Sequence, residues 1–531
     1  MRALPPISER TFTHAFKRAI DDVPDKAAYI DADGVELTYA QTMDRALRAG
    51  TAFAALGVEE EQSVALMLDN SVEFITAVYG LGLTRRVQVP VNTAYKGDFL
   101  AHILNDCDAE VVVIEAEYAE RLALIADQLP RIRHVVVRGD APHSLGSRFE
   151  TSSFTALFDN QPAELVDAAP DDLMAIMYTS GTTGLSKGVE ISHAHAYTYA
   201  SREDAARPVA EDRILVVLPL FHLAGQWYGA YQSLIARATA VVQPAFSVSK
   251  FWGWVRDFKI TETVMLGAVA ELLQQAEPRP DDADNTLSYA VMAPLASDLE
   301  TFRTRFDVQL GAVYGMSEIG GVMFTEPEDV VPGEAGMARA GFELRLVDSD
   351  GNDVPNGAHG ELLVRPEDPA LVMRGYRGLP EKTAETIVDG WVHTGDIFKR
   401  DDEGHYYFVD RSKDALRRRG ENISSFEVER TVNAYPDILE CAVVAAPSDL
   451  GEDEIKAVVV VREGHELDFI KLTEFMVERM PYFMVPRYIQ VIGVLPKTPT
   501  QKIQKHLLRD SGVAQDVWDR EAAGIKLNRR S

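Results

Sequence analysis

Only two cysteines occur in the 531-residue chain, Cys107 and Cys441, far apart in sequence. That excludes a disulfide framework and a cysteine-based metal site, and it suits a reducing, cytoplasmic setting. Positive charge is also scarce: 53 lysines and arginines face 82 aspartates and glutamates, a formal net charge of −29. An acidic chain offers a poor surface to nucleic acid or anionic lipid. Any anionic substrate must therefore be held by local lysines, arginines and backbone N–H groups. No long apolar run is present, and the N-terminal stretch MRALPPISERTFTHAFKRAIDD lacks one, so neither a signal peptide nor an integral membrane span is expected. Repeats and low-complexity tracts are missing as well. What is there, 46% hydrophobic and 25% charged residues, is the composition of a globular protein, and 531 residues exceed one ordinary core.

The apolar pattern divides the chain. Residues 8–53 read as helices with short turns. SVALMLDNSVEFITAVYGLGLTRRVQVPVN reads as strand, helix, strand, and AEVVVIEAEYAERLALIADQLPRIRHVVVRG repeats the unit. A third block runs from RILVVLPLFH through ARATAVVQP, TETVMLG and SYAVMAPL. Strands alternating with helices of this length predict an α/β fold with parallel sheets covered on both faces. From about Gly341, FELRLVDSDG, GELLVRP and GWVHTGDIFKRDDEGHYYFVDR are short strands with Asp-Gly and Glu-Gly turns, an antiparallel or barrel signature. A smaller α+β unit follows, and the best domain cut falls at 411–413.

YTSGTTGLSKG, Tyr178 to Gly188, is rich in glycine and hydroxyl side chains and carries one lysine. It lacks the terminal Gly-Lys-Ser/Thr of the common nucleotide loop. LMAIMY before it and GVEIS after it read as strands, with a helix starting only at about Ser192. In a strand–loop–strand, no helix N-terminus faces a phosphate. Backbone N–H groups, exposed at Gly181 and Gly184, would do the work, with hydroxyls of Thr179, Ser180, Thr182 and Thr183 and the Lys187 charge. A solvated hairpin turn would have the same composition, and residue order decides between the two.

That order is similar to the signature loop of the adenylate-forming superfamily, which includes acyl-CoA synthetases, peptide-synthetase adenylation domains and firefly luciferase; the usual proline before the lysine is Ser186 here. Four further segments follow in the family's order: VYGMSEIGG from Val313, GWVHTGDIFKRDDEGHYYFVDRSKD from Gly390, RRRGENISSFEVE from Arg417 and LPKTPTQKIQKHLLR from Leu495. The resemblance implies that Tyr314 stacks on adenine, flanked by Gly315 and Met316, that Ser317 contacts phosphate and that Glu318 holds Mg²⁺. It further implies that Asp396 accepts from the ribose hydroxyls, Arg411 donates to ribose or phosphate, and Lys413 is the domain hinge. Gly420 lines the pantetheine tunnel with Arg419 beside it for CoA phosphates, and Lys502 is the catalytic lysine. Gln501 stands where glycine is usual, while Lys497 and Lys505 read as solvated or as weak alternates. The implied fold is a large N-terminal domain (1–411) of two doubly wound αβ layers plus a β-barrel in about 335–411. A small mobile C-terminal domain (412–531) follows.

The implied activity is an ATP-dependent carboxylic acid–CoA ligase that forms an acyl-AMP with loss of pyrophosphate, then a thioester and AMP. No carrier or condensation domain is read beside these motifs, which favours CoA as the thiol. An adenylate former with a carrier-protein acceptor and a non-catalytic nucleotide- or acyl-binding relative are the alternatives. PLFHLAGQWYG places His222 where many members put a ring between acid and thiol tunnel. Gln226, Trp227, Leu266, Gly267, Ala268 and Ile319 are candidate pocket walls, Trp227 and Leu266 reading equally well as core. No charged residue stands out to pair with a second carboxylate or an amino group, which favours an aliphatic or aromatic monocarboxylic acid. FSVSKFWGWVRDFKITETVMLG looks most like the family's crotonobetaine/carnitine-CoA ligase group, without carrying the carnitine substrate over. The expected partners are small molecules, and the sequence does not choose between a monomer and a homodimer.

Overall fold

The computed structural model describes residues 4–146, 148–179, 186–203, 205–296, 298–411, 416–418, 421–423, 425–446, 454–480, 484–497, 503–513 and 517–527. They form two compact units. The larger holds the described residues up to Glu343 together with Val364–Val392; the smaller holds Leu344–Leu363 and the described residues from His393 onward.

The larger unit opens with α1 (Phe12–Asp22), β1 (Ala27–Ile30), β2 (Glu36–Thr38) and α2 (Tyr39–Ala55). The strand pair β1–β2 corrects the all-helical reading of residues 8–53: β1 joins a sheet far along the chain, a long-range pairing that no local pattern announces. Next come β3 (Ser63–Met67), α3 (Val72–Leu83), β4 (Val87–Pro90), α4 (Gly97–Asp106), β5 (Val111–Glu115), α5 (Ala116–Ala123), β6 (His134–Arg138) and β7 (Glu150–Ser153). β8 (Leu173–Thr179), β9 (Lys187–Ser192) and α6 (His193–Ala200) follow. An eight-stranded sheet includes these strands in the order β9-β8-β4-β3-β5-β6-β7.

β10 (Arg213–Val216), β11 (Thr239–Val242), β12 (Glu262–Met265), β13 (Tyr289–Met292), β14 (Gln309–Met316), β15 (Gly320–Thr325) and β16 (Gly336–Ala338) build the second sheet of this unit. Its order is β2-β1-β11-β10-β12-β13-β14-β15-β16, parallel from β1 to β14. β3 shows why both faces are apolar. Val64 and Leu66 enter the core between the sheets, while Ala65 and Met67 enter the core under α4. Helices α2, α3 and α6 start where a hydroxyl caps them: Thr38 with Gln41 in a capping box, Ser71 to the Phe74 N–H, Ser192 to the His195 N–H.

α6 lies wholly inside, all eight residues buried, and carries two histidines there. The Phe12 N–H donates to His193 Nδ1 (3.3 Å), whereas neither ring nitrogen of His195 has a partner among the described residues. Burial lowers His193 to about 4 and His195 to about 3, from an ordinary 6.5. Their neutral forms therefore contribute stability that is fully present above pH ~6.5 and is lost as pH falls toward those values, at up to about 1.4 kcal/mol per histidine per pH unit. The urea midpoint is expected to drop steeply below pH ~6.5, and His195→Asn to flatten that slope by about one proton. A slope unchanged by the substitution would remove His195 from the account.

β17 (Phe342–Val347) and β18 (Gly360–Pro366) straddle the division, and β19 (Gly375–Tyr376) and β20 (Ile387–Val388) complete the larger unit. In the smaller unit β21 (Trp391–Arg400) and β22 (His405–Arg411) form an antiparallel hairpin beside β18. After it come β23 (Leu416–Arg418), β24 (Glu421–Ile423), β25 (Ile438–Ala446), β26 (Glu454–Val461), β27 (Tyr488–Val491) and β28 (Trp518–Asp519). The last four form a sheet in chain order. Its apolar face packs on the helices Ser425–Asn433 and Phe469–Val477 through Val428, Val432, Leu472 and Met476. Among the described residues no helix is long and apolar enough to cross a membrane.

Candidate active site

β8 and β9 pair antiparallel up to Thr179 opposite Lys187, which gives the expected strand–loop–strand. Ser180, Gly181, Thr182, Thr183 and Gly184 lie outside the described residues. Lys187 is half-buried. Its ammonium sits 4.0 Å from the centre of the Tyr376 ring, and burial lowers its pKa while nearby Glu318 opposes the shift.

β14 and β15 form a hairpin whose turn carries Ser317, Glu318 and Ile319. The turn is tight enough to exclude a side chain at Gly315, where a Cβ would stand 2.2 Å from the Gly320 carbonyl oxygen. Tyr314 and Met316 are half-buried, with the Tyr314 hydroxyl 3.8 Å from the Met316 sulfur. Glu318 is 6% exposed and accepts a hydrogen bond from the Tyr376 hydroxyl at Oε1 (2.9 Å).

Tyr376 was not singled out from sequence. It arrives on β19, which pairs antiparallel with β9, Tyr376 opposite Val189. The Met373 N–H donates to the Glu318 carbonyl oxygen, so this short segment bridges the β9 edge and the Glu318 turn. Burial and the adjacent Glu318 carboxylate raise the Tyr376 pKa. A buried carboxylate, a phenol and an ammonium thus stand together, drawn from three segments of the chain.

Glu318 is the side chain of the β14–β15 turn that could hold a metal ion. Tyr376 occupies Oε1, no described residue bonds Oε2, and no described group of three His, Cys, Asp or Glu could hold a metal ion by itself. One available carboxylate oxygen fits Mg²⁺, which is held by one or two carboxylates plus substrate phosphates.

In the smaller unit Asp396 and Arg411 stand directly opposite each other across β21 and β22. Asp396 is 4% exposed, and its N–H donates to the Thr394 hydroxyl (3.1 Å), which in turn donates to the Leu362 carbonyl (2.8 Å). Lys413, Arg419, Gly420 and Lys502 lie outside the described residues. Of the described residues around them, Arg418 pairs with Glu421, and Lys497 bridges Ile503. Lys505 forms an ion pair with Glu429 (2.8 Å) and Lys497 with Glu440, which corrects the reading of both lysines as solvated.

The acid-pocket candidates scatter over several elements of the larger unit. His222 is half-buried at the start of a helical stretch from Leu223 to Ala236 whose middle, Gln226–Tyr231, is a π-helix. Gln226 donates to Gln88 (2.8 Å) and is enclosed, as is Trp227, whose ring meets those of His195 and Tyr199 edge-on. His195 links Trp227 to the segment after Ile319, because a Cβ on Gly320 would stand 3.3 Å from its Nε2. Leu266 is 43% exposed, and Gly267 begins the helix Gly267–Gln275, whose backbone includes Ala268. Ile319 is fully buried.

The AMP-binding enzyme family matches residues 16–377, and the AMP-binding enzyme C-terminal domain matches 427–502. A crotonobetaine/carnitine–CoA ligase of Citrobacter koseri is 32% identical over 89% of this chain and 93% of its own length. One from Escherichia coli is 33% identical over 87% and 91%. Among solved structures, the anthranilate CoA ligase AuaEII in complex with anthranoyl-AMP has a TM-score of 0.87 at 27% identity, covering 96% of this chain and 98% of that one. ATP-bound MatB from Rhodopseudomonas palustris has a TM-score of 0.83 at 27% identity, covering 94% and 98%. The chain belongs to the AMP-binding, adenylate-forming enzyme family, in its acyl-CoA ligase branch.

Proposed function

We propose that the protein is an ATP-dependent carboxylic acid–CoA ligase working in two steps, and that its acid is an aliphatic or aromatic monocarboxylic acid. In the first step a substrate carboxylate oxygen attacks the α-phosphorus of ATP, and the bond to the β-phosphate oxygen breaks, giving acyl-AMP and pyrophosphate. In the second the CoA sulfur attacks the acyl carbon and AMP leaves, the thiol proton passing to solvent. The observation that carries this reading is the Glu318–Tyr376–Lys187 group, which sets a buried anion and a half-buried cation near one ring where a polyphosphate and its counter-ion need both.

Residues 179–184 and Lys187 hold the β- and γ-phosphates. Tyr314, with Gly315 and Met316, packs on adenine, and Ser317 contacts phosphate. Bound Mg²⁺, held by Glu318, supplies charge neutralisation at the phosphate oxygens. Asp396 and Arg411 hold the ribose, since an ionised carboxylate accepts from two hydroxyls at once. Lys502 binds the attacking carboxylate and the α-phosphate together and follows the charge as it develops. His222, Gln226, Trp227, Leu266, Gly267, Ala268 and Ile319 shape the acid pocket. Arg419 and Gly420 serve the CoA path after the C-terminal domain, residues 412–531, turns about Lys413. A cytoplasmic location belongs to the same reading.

The test is an incubation with ATP, Mg²⁺, CoA and a mixed pool of fatty, branched, aromatic and alicyclic acids, enlarged with crotonobetaine, carnitine and anthranilate. Acyl-CoA is read by mass spectrometry, with AMP and pyrophosphate in parallel. A thioester with stoichiometric AMP is expected. Acyl-AMP without thioester would move the acceptor to a carrier protein, and no acid-dependent AMP from any acid would count for the non-catalytic alternative.

A further inference from the structure

We propose that α4 clamps both strands of the β8–β9 pair at the end from which the phosphate-binding loop departs, with His102 and Asp106 as positioning residues for Thr179 and Lys187. The inference rests on the reading that this loop and Lys187 hold phosphate.

Phe99, His102 and Asp106 recur at the spacing of one helix face. Each reaches toward the same place. His102 Nε2 donates to the Ser186 carbonyl oxygen (2.8 Å), next to Lys187. Tyr95, stacked on Phe99 (6.3 Å between centroids, 11° between planes), brings its hydroxyl to 3.4 Å from Ser186 Oγ. On the other strand the Tyr178 hydroxyl donates to Asp106 Oδ2 (2.6 Å), next to Thr179. The His102 ring also meets the Tyr178 ring edge-on at 6.5 Å. One helix face therefore bonds the last residues of β8 and the first residue before β9.

The geometry around Tyr178 fits this role. Gly188 is its cross-strand partner, and a Cβ there would lie 2.8 Å from Ile176 Cγ2 and 3.2 Å from the Tyr178 hydroxyl. Only glycine leaves room for the ring to lie across the pair and reach Asp106. Ser186 and Tyr95 are both buried, which shelters their contact from competing water, while the His102 and Asp106 bonds are half-buried. Thr179 opposite Lys187 is the last pair of the β8–β9 ladder, so contacts made here act where the described strands lead into the loop. Serine does not restrict φ as proline would, so hydrogen bonds from α4 supply the restraint at this point.

The test measures MgATP binding to the full chain by calorimetry, which needs no knowledge of the acid. His102→Ala is expected to weaken MgATP roughly fivefold, the equivalent of one hydrogen bond. His102→Gln, which keeps an N–H donor, should restore binding to within about twofold. Asp106→Ala should weaken it by a similar factor, and the double variant by more than the product of the singles, because each end then loses its remaining anchor. Lys187→Met is run alongside. If all the α4 variants bind as wild type while Lys187→Met binds weakly, the clamp is overturned and the loop reading stands. If Lys187→Met also binds as wild type, the loop reading itself fails. If an alanine variant shows no thermal transition, Tyr178→Phe, which removes only the hydroxyl that donates to Asp106, decides instead: a Kd weakened severalfold supports the clamp, and a wild-type Kd overturns it.

Discussion

Replacing Lys502 by alanine is expected to lower acid-dependent pyrophosphate release by at least about a thousandfold while changing MgATP affinity less than about threefold. The separation follows from the role. A carboxylate approaching the α-phosphate brings two anions together, and an ammonium that touches both acts mainly as the new bond forms. The ground-state nucleotide keeps its other contacts. The flanks of this lysine show why the substitution is a clean one. Lys497 and Ile503 pair across the segment, the Gln504 N–H donates to the Pro496 carbonyl (2.8 Å), and Lys505 is tied to Glu429 at low exposure. Glu429 is itself fixed by the Val443 N–H (2.7 Å). Truncating the Lys502 side chain removes a charge and touches none of these flanking contacts. Gln501→Gly is the companion variant, expected to be neutral or activating. Unchanged pyrophosphate release in Lys502→Ala would end the assignment of this lysine.

Much of this was legible in the chain itself. The β8–loop–β9 arrangement could be read because both strands are apolar, the loop is rich in glycine and hydroxyls, and Ser192 marks the next helix. The β21–β22 hairpin, which sets Asp396 opposite Arg411, could be read from the Glu-Gly turn between two alternating runs. Tyr376 could not. It lies 58 residues from Glu318, between Arg374 and Arg377 in a stretch that carries no sign of the distant carboxylate, and it reaches its place only as an added edge strand on β9. His195 was equally silent. A histidine in a short alternating run looks like a surface residue until two sheets close over it. The pairing of Lys505 with Glu429 depends on a helix more than 70 residues upstream, which local reading of a lysine-rich segment does not supply.

The second large effect is expected at the Glu318 carboxylate. Glu318→Gln should raise the Mg²⁺ concentration needed for half-maximal nucleotide binding by about a hundredfold and lower turnover by a similar factor, since it removes the protein's negative charge from the ion's shell. Tyr376→Phe should do the same in smaller measure, roughly tenfold, without removing any ligand. The phenol is 7% exposed and holds one oxygen of a carboxylate that is itself buried. Losing that donor leaves Oε1 unsatisfied, a penalty of about 1–3 kcal/mol, and frees the carboxylate to turn. The ring remains under Lys187 in the phenylalanine variant, so the cation–π contact at 4.0 Å survives and the two functions of Tyr376 separate. A shift in Mg²⁺ dependence with little change in affinity at saturating Mg²⁺ is the signature of an orienting hydroxyl. Equal Mg²⁺ midpoints in wild type and Glu318→Gln, measured by calorimetry, would remove Glu318 as the metal ligand, and with it the reason for Tyr376 to be where it is.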